Sequence, residues 1–219
     1  SHELKTPITS MKVLADSLIS QEDVPIGLYK EFMTDIAEEI ERENKIITDL
    51  LSLVKMDKTS ANLNIENRNL NELIELILKR LRPIAKQRNI DVLYESAREV
   101  FAEIDEVKLT LAISNLVENA IKYNKEYGYV KVSLDADHQF ATIMVEDNGI
   151  GIPEEAQEHI FERFYRVDKS HSREIGGTGL GLAIARNAIL LHRGSIKIDS
   201  EEGQGTVFTV KIPIIYVSK

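Results

Sequence analysis

The chain has 219 residues, enough for one large domain or two small ones, and its 43% hydrophobic and 29% charged content is ordinary for a globular protein. Acids exceed bases 36 to 27, a net charge of −9 that argues against nucleic acid and anionic membrane surfaces as partners. There is no cysteine, which excludes disulfides, thiolate catalysis and cysteine-based zinc sites and fits a reducing compartment.

No apolar run approaches the roughly 18 residues of a spanning helix, and no signal-peptide pattern opens the chain. The first residue is not Met, and Ser1-His2 enters a helical pattern without a preceding turn. The chain therefore reads as a piece that continues toward the N-terminus.

From Leu4 the apolar residues Leu4, Ile8, Met11, Ala15 and Leu18 fall on one seam of a helix, as in bundles. Pro7 sits in the first turns, where a missing N–H is tolerated or gives a mild kink. A loop with Pro25 and Gly27 follows, then a second helix with Ile36, Ile40, Ile47, Leu51 and Val54 on one face and Asn44 interrupting the seam. One hairpin alone buries too little, so pairing with a second copy into a four-helix bundle is expected.

The stretch 58–64 is small and polar and reads as a linker. Beyond it the sequence predicts a helix over 70–87, with Leu70, Leu73, Ile74, Ile77, Leu81 and Ile84 on one side. A strand over 90–94 and a helix over 105–123 follow, then paired strands over 129–134 and 141–145. A helix over 154–161, a loop through Gly177, a helix over 180–191 and two closing strands at 195–199 and 206–212 complete the pattern. This order suggests an α+β sandwich with helices on one face of a mixed sheet.

Three segments carry candidate chemistry. In Asn115-Leu-Val-Glu118-Asn119-Ala-Ile-Lys122-Tyr123, Asn115 and Asn119 are four apart, so both carboxamides share a helix face. Such oxygens suit a hard cation such as Mg²⁺ that also binds phosphate, and Lys122 can meet phosphates as a point charge; a solvated face is the plain alternative. Asp147-Asn148-Gly149-Ile150-Gly151 follows a strand, where Asp147 can accept from an exocyclic amine such as adenine's, or merely form an Asp-Asn-Gly turn. Gly177-Thr178-Gly179-Leu180-Gly181 opens a helix and exposes N–H donors at its positive end, a phosphate cradle or a flexible loop. It has neither Walker A nor dinucleotide spacing.

Between the glycine motifs, 161–169 contains Phe161, Phe164, Arg163, Arg166 and Lys169, aromatic anchors with cations able to reach a terminal phosphate. The polar stretch 170–177 has the texture of a closing lid. At the start, His2 and Thr6 share a helical face, and Glu3 beside His2 can orient the imidazole or take its proton. His138, His159, His171 and His192 lack a His-x-x-x-His pair and read as ordinary residues.

Together these segments resemble the sensor histidine kinase family over essentially the whole chain. His2-Glu-Leu-Lys-Thr6-Pro is similar to its H box, 115–123 to the N box, 147–151 to the G1 box, 161–166 to the F box and 177–181 to the G2 box. Gly205-Thr206 is similar to the late element near the adenine pocket. The resemblance implies a phosphotransfer and dimerisation hairpin over 1–57, a linker over 58–65 and an ATP-binding domain over 66–219. It implies ATP and Mg²⁺ as cofactors, a response-regulator receiver domain as partner, a homodimer, and a membrane-anchored full-length protein with this part cytoplasmic.

It further implies that His2 takes the γ-phosphoryl group with Glu3 assisting, and that Thr6 positions a dephosphorylating water. Asn115 and Asn119 would hold Mg²⁺, Lys122 and Tyr123 would line the nucleotide, and Asp147 would read adenine with Gly149 and Gly151 giving it room. Gly177, Thr178, Gly179, Leu180 and Gly181 would close on the phosphates, Thr206 would sit near adenine, and Arg166 would stabilise the transferring charge. In the family the histidine lies well inside its helix, whereas here it is residue 2; a frayed first turn predicts good ATP binding and poor self-labelling. The gyrase and MutL type of ATPase shares the nucleotide boxes, and a nucleotide-sensing scaffold is a further alternative; the histidine box and its hairpin favour the kinase.

Overall fold

The computed structural model describes residues 2–20, 24–58, 63–167 and 177–217; the side chains of 2–8, 10, 55, 57 and 58 lie outside that description. Helices α1 (His2–Ile19) and α2 (Ile26–Lys58) form the hairpin. The seam read from the sequence is left open by a single chain: Ile40, Ile47, Leu51 and Val54 are all exposed. A second stripe that the sequence reading missed, Ile46, Leu53 and Met56, is buried within the chain. Among the described residues no helix is long and apolar enough to cross a membrane.

The remainder runs β1 (Glu66–Asn69), α3 (Leu70–Gln87), β2 (Asp91–Ser96), β3 (Phe101–Ile104), α4 (Glu106–Lys122), β4 (Tyr129–Ala136), β5 (Phe140–Asp147), α5 (Glu154–Gln157), α6 (Gly181–Leu191), β6 (Ser195–Glu201) and β7 (Gly205–Pro213). The main sheet has the order β2-β4-β5-β7-β6, with β2 parallel to β4 and the other pairs antiparallel. Alternation writes its inner face: Val130, Val132 and Leu134, then Ala141, Ile143 and Val145, then Phe208, Val210 and Ile212 are all buried. They meet the apolar stripes of α3, α4 and α6, so the domain has one helical and one sheet layer.

Two helices begin on side-chain caps. Asn69 accepts from the N–H groups of Asn71 (2.9 Å) and Glu72 (3.3 Å) ahead of α3. Asp105 accepts from Lys108 N–H at 3.0 Å ahead of α4, and its second oxygen takes Asn64 N–H at 3.1 Å and the Lys108 ammonium at 2.5 Å. The Asp105 N–H is itself held by His192 Nε2 at 2.9 Å, while Nδ1 lies 2.7 Å from the Ala188 carbonyl. His192 is thus a buried, neutral tie between the end of α6 and the start of α4, and burial pushes its pKa down.

Some expectations shift. The two-stranded pairing of β1 with β3 was invisible in the sequence, because Glu-Asn-Arg-Asn carries no alternating apolar signal. Helix α5 ends at Gln157, and 158–164 continues in turns. Ile84 is exposed at the edge of the α3 stripe, and Ala85 takes the buried place.

Candidate nucleotide site

Helix α4 buries Leu109, Ala112, Ile113, Leu116, Val117, Ala120 and Ile121. A helix period of 3.6 then forces Asn115, Glu118, Asn119 and Lys122 onto the opposite face, which lines a cavity of about 510 Å³. Asn115 commits its amide to the Leu111 carbonyl at 2.9 Å, which leaves Oδ1 as an outward acceptor beside Gly181. Lys122 is pushed down to about 8 by burial first, then by Arg166, Lys45 and Arg42. Its ammonium sits 5.0 Å from the Tyr123 ring centroid, and burial raises that phenol.

The far end of the cavity is built where β5 stops. Asp147 pairs in register with Thr206 at the start of β7. Asp147 Oδ1 accepts from Gly149 N–H at 2.9 Å, and the Thr206 N–H also bonds the carboxylate. Burial outweighs both and pushes Asp147 up to about 6. Gly151 takes φ +67°, and a Cβ there would strike the Glu201 carbonyl, so this turn admits only glycine without strain. Ser200 braces the same corner: its hydroxyl receives Ile152 N–H at 2.9 Å and lies 2.9 Å from Thr206 Oγ1. Gln157 adds bonds to the carbonyls of Ile152 (3.0 Å) and Ser200 (2.8 Å).

The third wall is the glycine turn into α6. Gly177 lies against the Lys122 ammonium and Gly181 against Asn115 Oδ1, so the turn is pressed onto the polar face of α4. Gly179 takes φ +67° and its carbonyl accepts from Phe164 N–H at 2.8 Å. Phe164 itself sits at φ +66°, unusual for an aromatic residue, and packs against the core. Leu180 precedes α6 without a side-chain cap, and its N–H meets Thr178 Oγ1 at 3.2 Å. Thr178 in turn donates to Asp49 Oδ2 of α2 at 2.8 Å.

Arg166, Tyr165, Lys45 and Asp49 complete the lining. The structure therefore brings together Asn115, Asn119, Lys122, Tyr123, Asp147, Gly151, Arg166, Gly177, Thr178, Gly179, Gly181 and Thr206 around one cavity, with Gly149 and Leu180 supporting it from behind. The side chains of His2, Glu3 and Thr6, and all of Lys169 and 170–176, lie outside the described residues. The sequence reading missed Lys45, Asp49, Tyr165, Glu202, Ser200 and Gln157. Tyr165 lay inside a motif already singled out, whereas the others sit in segments with no chemical signature of their own.

With this geometry in hand, two family matches divide the chain. Residues 1–59 match the His Kinase A (phospho-acceptor) domain, and residues 104–215 match the histidine kinase-, DNA gyrase B-, and HSP90-like ATPase family. The sensor histidine kinase WalK of Bacillus subtilis is 37% identical over 216 residues, covering 97% of this chain and 35% of that protein. RppB of Synechocystis is 36% identical over 218 residues, covering 99% of this chain and 48% of that protein, so the chain spans less than half the length of these curated relatives. Among solved structures, Acinetobacter baumannii histidine kinase AdeS superposes with a TM-score of 0.77 at 25% identity, covering 98% of both chains. Histidine kinase ThkA, solved in complex with the response regulator protein TrrA, gives 0.77 at 28% identity over 97% of this chain and 59% of that one. The ThkA catalytic domain gives 0.62 at 32% identity and is covered over 97% of its length, for 70% of this chain. A phospho-acceptor helix pair followed by an ATP-binding α/β layer, matched on both halves, makes this chain a member of the sensor histidine kinase family.

Proposed function

We propose that the chain transfers the γ-phosphoryl group of Mg²⁺-bound ATP to His2 and then to an aspartate of a response-regulator receiver domain. Residues 1–57 act as the phospho-acceptor and dimerisation hairpin, 58–65 as linker and 66–219 as the ATP-binding domain. The observation that carries this reading is the convergence of Asn115, Asn119, Lys122, Asp147 and the glycine turn on one 510 Å³ cavity. That volume and its mix of apolar and polar walls fit a nucleotide.

Asp147 accepts a hydrogen bond from the adenine amine, with Thr206 behind it. The amides at the start of α6, Lys122 and Arg166 receive the phosphates, where the positive helix end adds to their charge. Asn115 and Asn119 hold Mg²⁺ by their carboxamide oxygens. Among the described residues no group of three His, Cys, Asp or Glu could cage a metal, which suits an ion shared between carboxamides, phosphate and water. An Mg²⁺ held by these carboxamides would supply positive charge against that developing on the phosphates.

The His2 imidazole nitrogen forms the N–P bond while the bond from γ-phosphorus to the bridging oxygen breaks, its electron pair leaving with ADP. The imidazole proton passes to Glu3. Thr6 orients a water that attacks the regulator's aspartyl phosphate, breaking its P–O bond to aspartate and releasing inorganic phosphate. The ThkA–TrrA complex supports the regulator as partner, and the open seam of α2 supports a second copy as the hairpin's cover. The full-length protein is membrane-anchored with this part in the cytoplasm.

The test is incubation with γ-labelled ATP and Mg²⁺ of the chain and of a form extended N-terminally by several helical turns, each also as His2→Gln and Asn119→Ala. Acid-labile, base-stable label that is weak in the chain, strong in the extended form and lost in both variants is the expected result. Release of free phosphate with no label on the protein would replace the kinase reading by the ATPase one.

A further inference from the structure

The cavity is not built by the ATP-binding layer alone. Lys45 and Asp49 of α2 line it, one helical turn apart, together with Asn115, Asn119 and Lys122. Lys45 Nζ lies 3.5 Å from Glu118 Oε2, with the two side chains 60% and 43% exposed. A long, half-solvated pair of this kind contributes little to stability, so a stronger anion can displace Glu118 at little cost.

We propose that α2 is part of the nucleotide site, with Lys45 a phosphate-binding residue that rests on Glu118 and exchanges it for the terminal phosphate of a nucleoside triphosphate. Asp49, through Thr178 Oγ1 at 2.8 Å, holds the glycine turn toward the same helix, so the turn that cradles phosphate is anchored to the hairpin. Lys45, Lys122 and Arg166 line this end of the cavity beside Asp49 and Glu118. Arg42 and Lys45 from α2 join Arg166 in disfavouring the Lys122 ammonium, behind the larger effect of burial. A γ-phosphate would offset that crowding of cations, whereas adenosine carries no charge to do so. Binding of the triphosphate is thereby coupled to the helix that follows the phospho-acceptor helix.

The proposal rests on the nucleotide reading above, and calorimetric titration of the whole chain with ATP, ADP and adenosine separates the two. Lys45→Ala is expected to weaken ATP about tenfold, the worth of one charge-assisted contact, to weaken ADP less, and to leave adenosine unchanged. Lys45→Arg retains ATP binding within about twofold, and Glu118→Gln, which frees Lys45, tightens ATP. Equal effects of Lys45→Ala on all three ligands, or none on ATP, would overturn the proposal while Asn119→Ala still lowers ATP affinity. Failure of the unaltered chain to bind ATP, or indifference of ATP to Asn119→Ala, would instead remove the nucleotide reading. Should Lys45→Ala lose its helical circular dichroism, Lys45→Gln, which keeps the aliphatic stem, decides by the same ligand series.

Discussion

In the proposed function the Asp147 carboxylate accepts the adenine amine, yet burial pushes its pKa to about 6 from 3.8. Adenine affinity must then follow the ionised fraction. At pH 7 about nine-tenths of the sites are competent, and at pH 5 about one-tenth, a fall of about tenfold or ~1.4 kcal/mol. Nucleotide phosphates titrate in the same range, with a second pKa of about 6, so the neutral ligand adenosine is the better probe. Calorimetry from pH 5 to 8 should show the decline in the unaltered chain and a flat, weaker profile in Asp147→Asn. The same shift carries a stability consequence of fixed sign. The folded carboxyl is raised, so the protein loses stability as pH climbs from about 4 through about 6, by at most ~3 kcal/mol before solvent screening. Asp147→Asn should therefore melt higher than the parent at pH 7 while binding adenosine less well. A pH-independent adenosine affinity, or a lower melting temperature for Asp147→Asn at pH 7, would refute the argument.

Lys122, pushed down to about 8, is mostly neutral at pH 9 in the free protein, so ATP binding there should take up about one proton as phosphate restores the charge. Titrations in two buffers of different ionisation enthalpy measure that proton, and Lys122→Met should abolish it. Gly179→Ala meets two obstacles: φ +67° costs an L-residue about 1–2 kcal/mol, and the new methyl would lie 2.9 to 3.2 Å from Phe164 backbone atoms that are themselves constrained. It should weaken ATP at least about tenfold with unchanged far-ultraviolet circular dichroism and adenosine affinity, because the damage is confined to the phosphate end.

Period-bearing elements were legible before any coordinates. The α3 and α4 stripes, the β4–β5 pair and the β6–β7 hairpin follow from apolar spacing, and the α4 polar face follows from Asn115 and Asn119 being one turn apart. The glycine turns were legible because a left-handed φ leaves few alternatives to glycine, as at Gly151 and Gly179. What could not be read lacks a local signal. Strand β1 is wholly polar, and its place depends on β3, more than thirty residues away. Ser200 and Gln157 are unremarkable in sequence and acquire a role only when the chain returns to Ile152. Lys45 and Asp49 carry no local signal, and only packing of α2 against α6 brings them to the cavity.

Helices α4 and α6 run antiparallel between two contacts, Asp105 with His192 at one end and Asn115 with Gly181 at the other. Roughly ten residues separate these points on each helix, a braced length of about 15 Å. The Asn115 carboxamide and the amides at the start of α6, which the proposed function assigns to metal and phosphate, are consequently parts of one rigid body. Little conformational entropy is left to lose on that floor when nucleotide binds. Substitutions that loosen the His192 end should therefore surface as weaker phosphate affinity at a site they never touch.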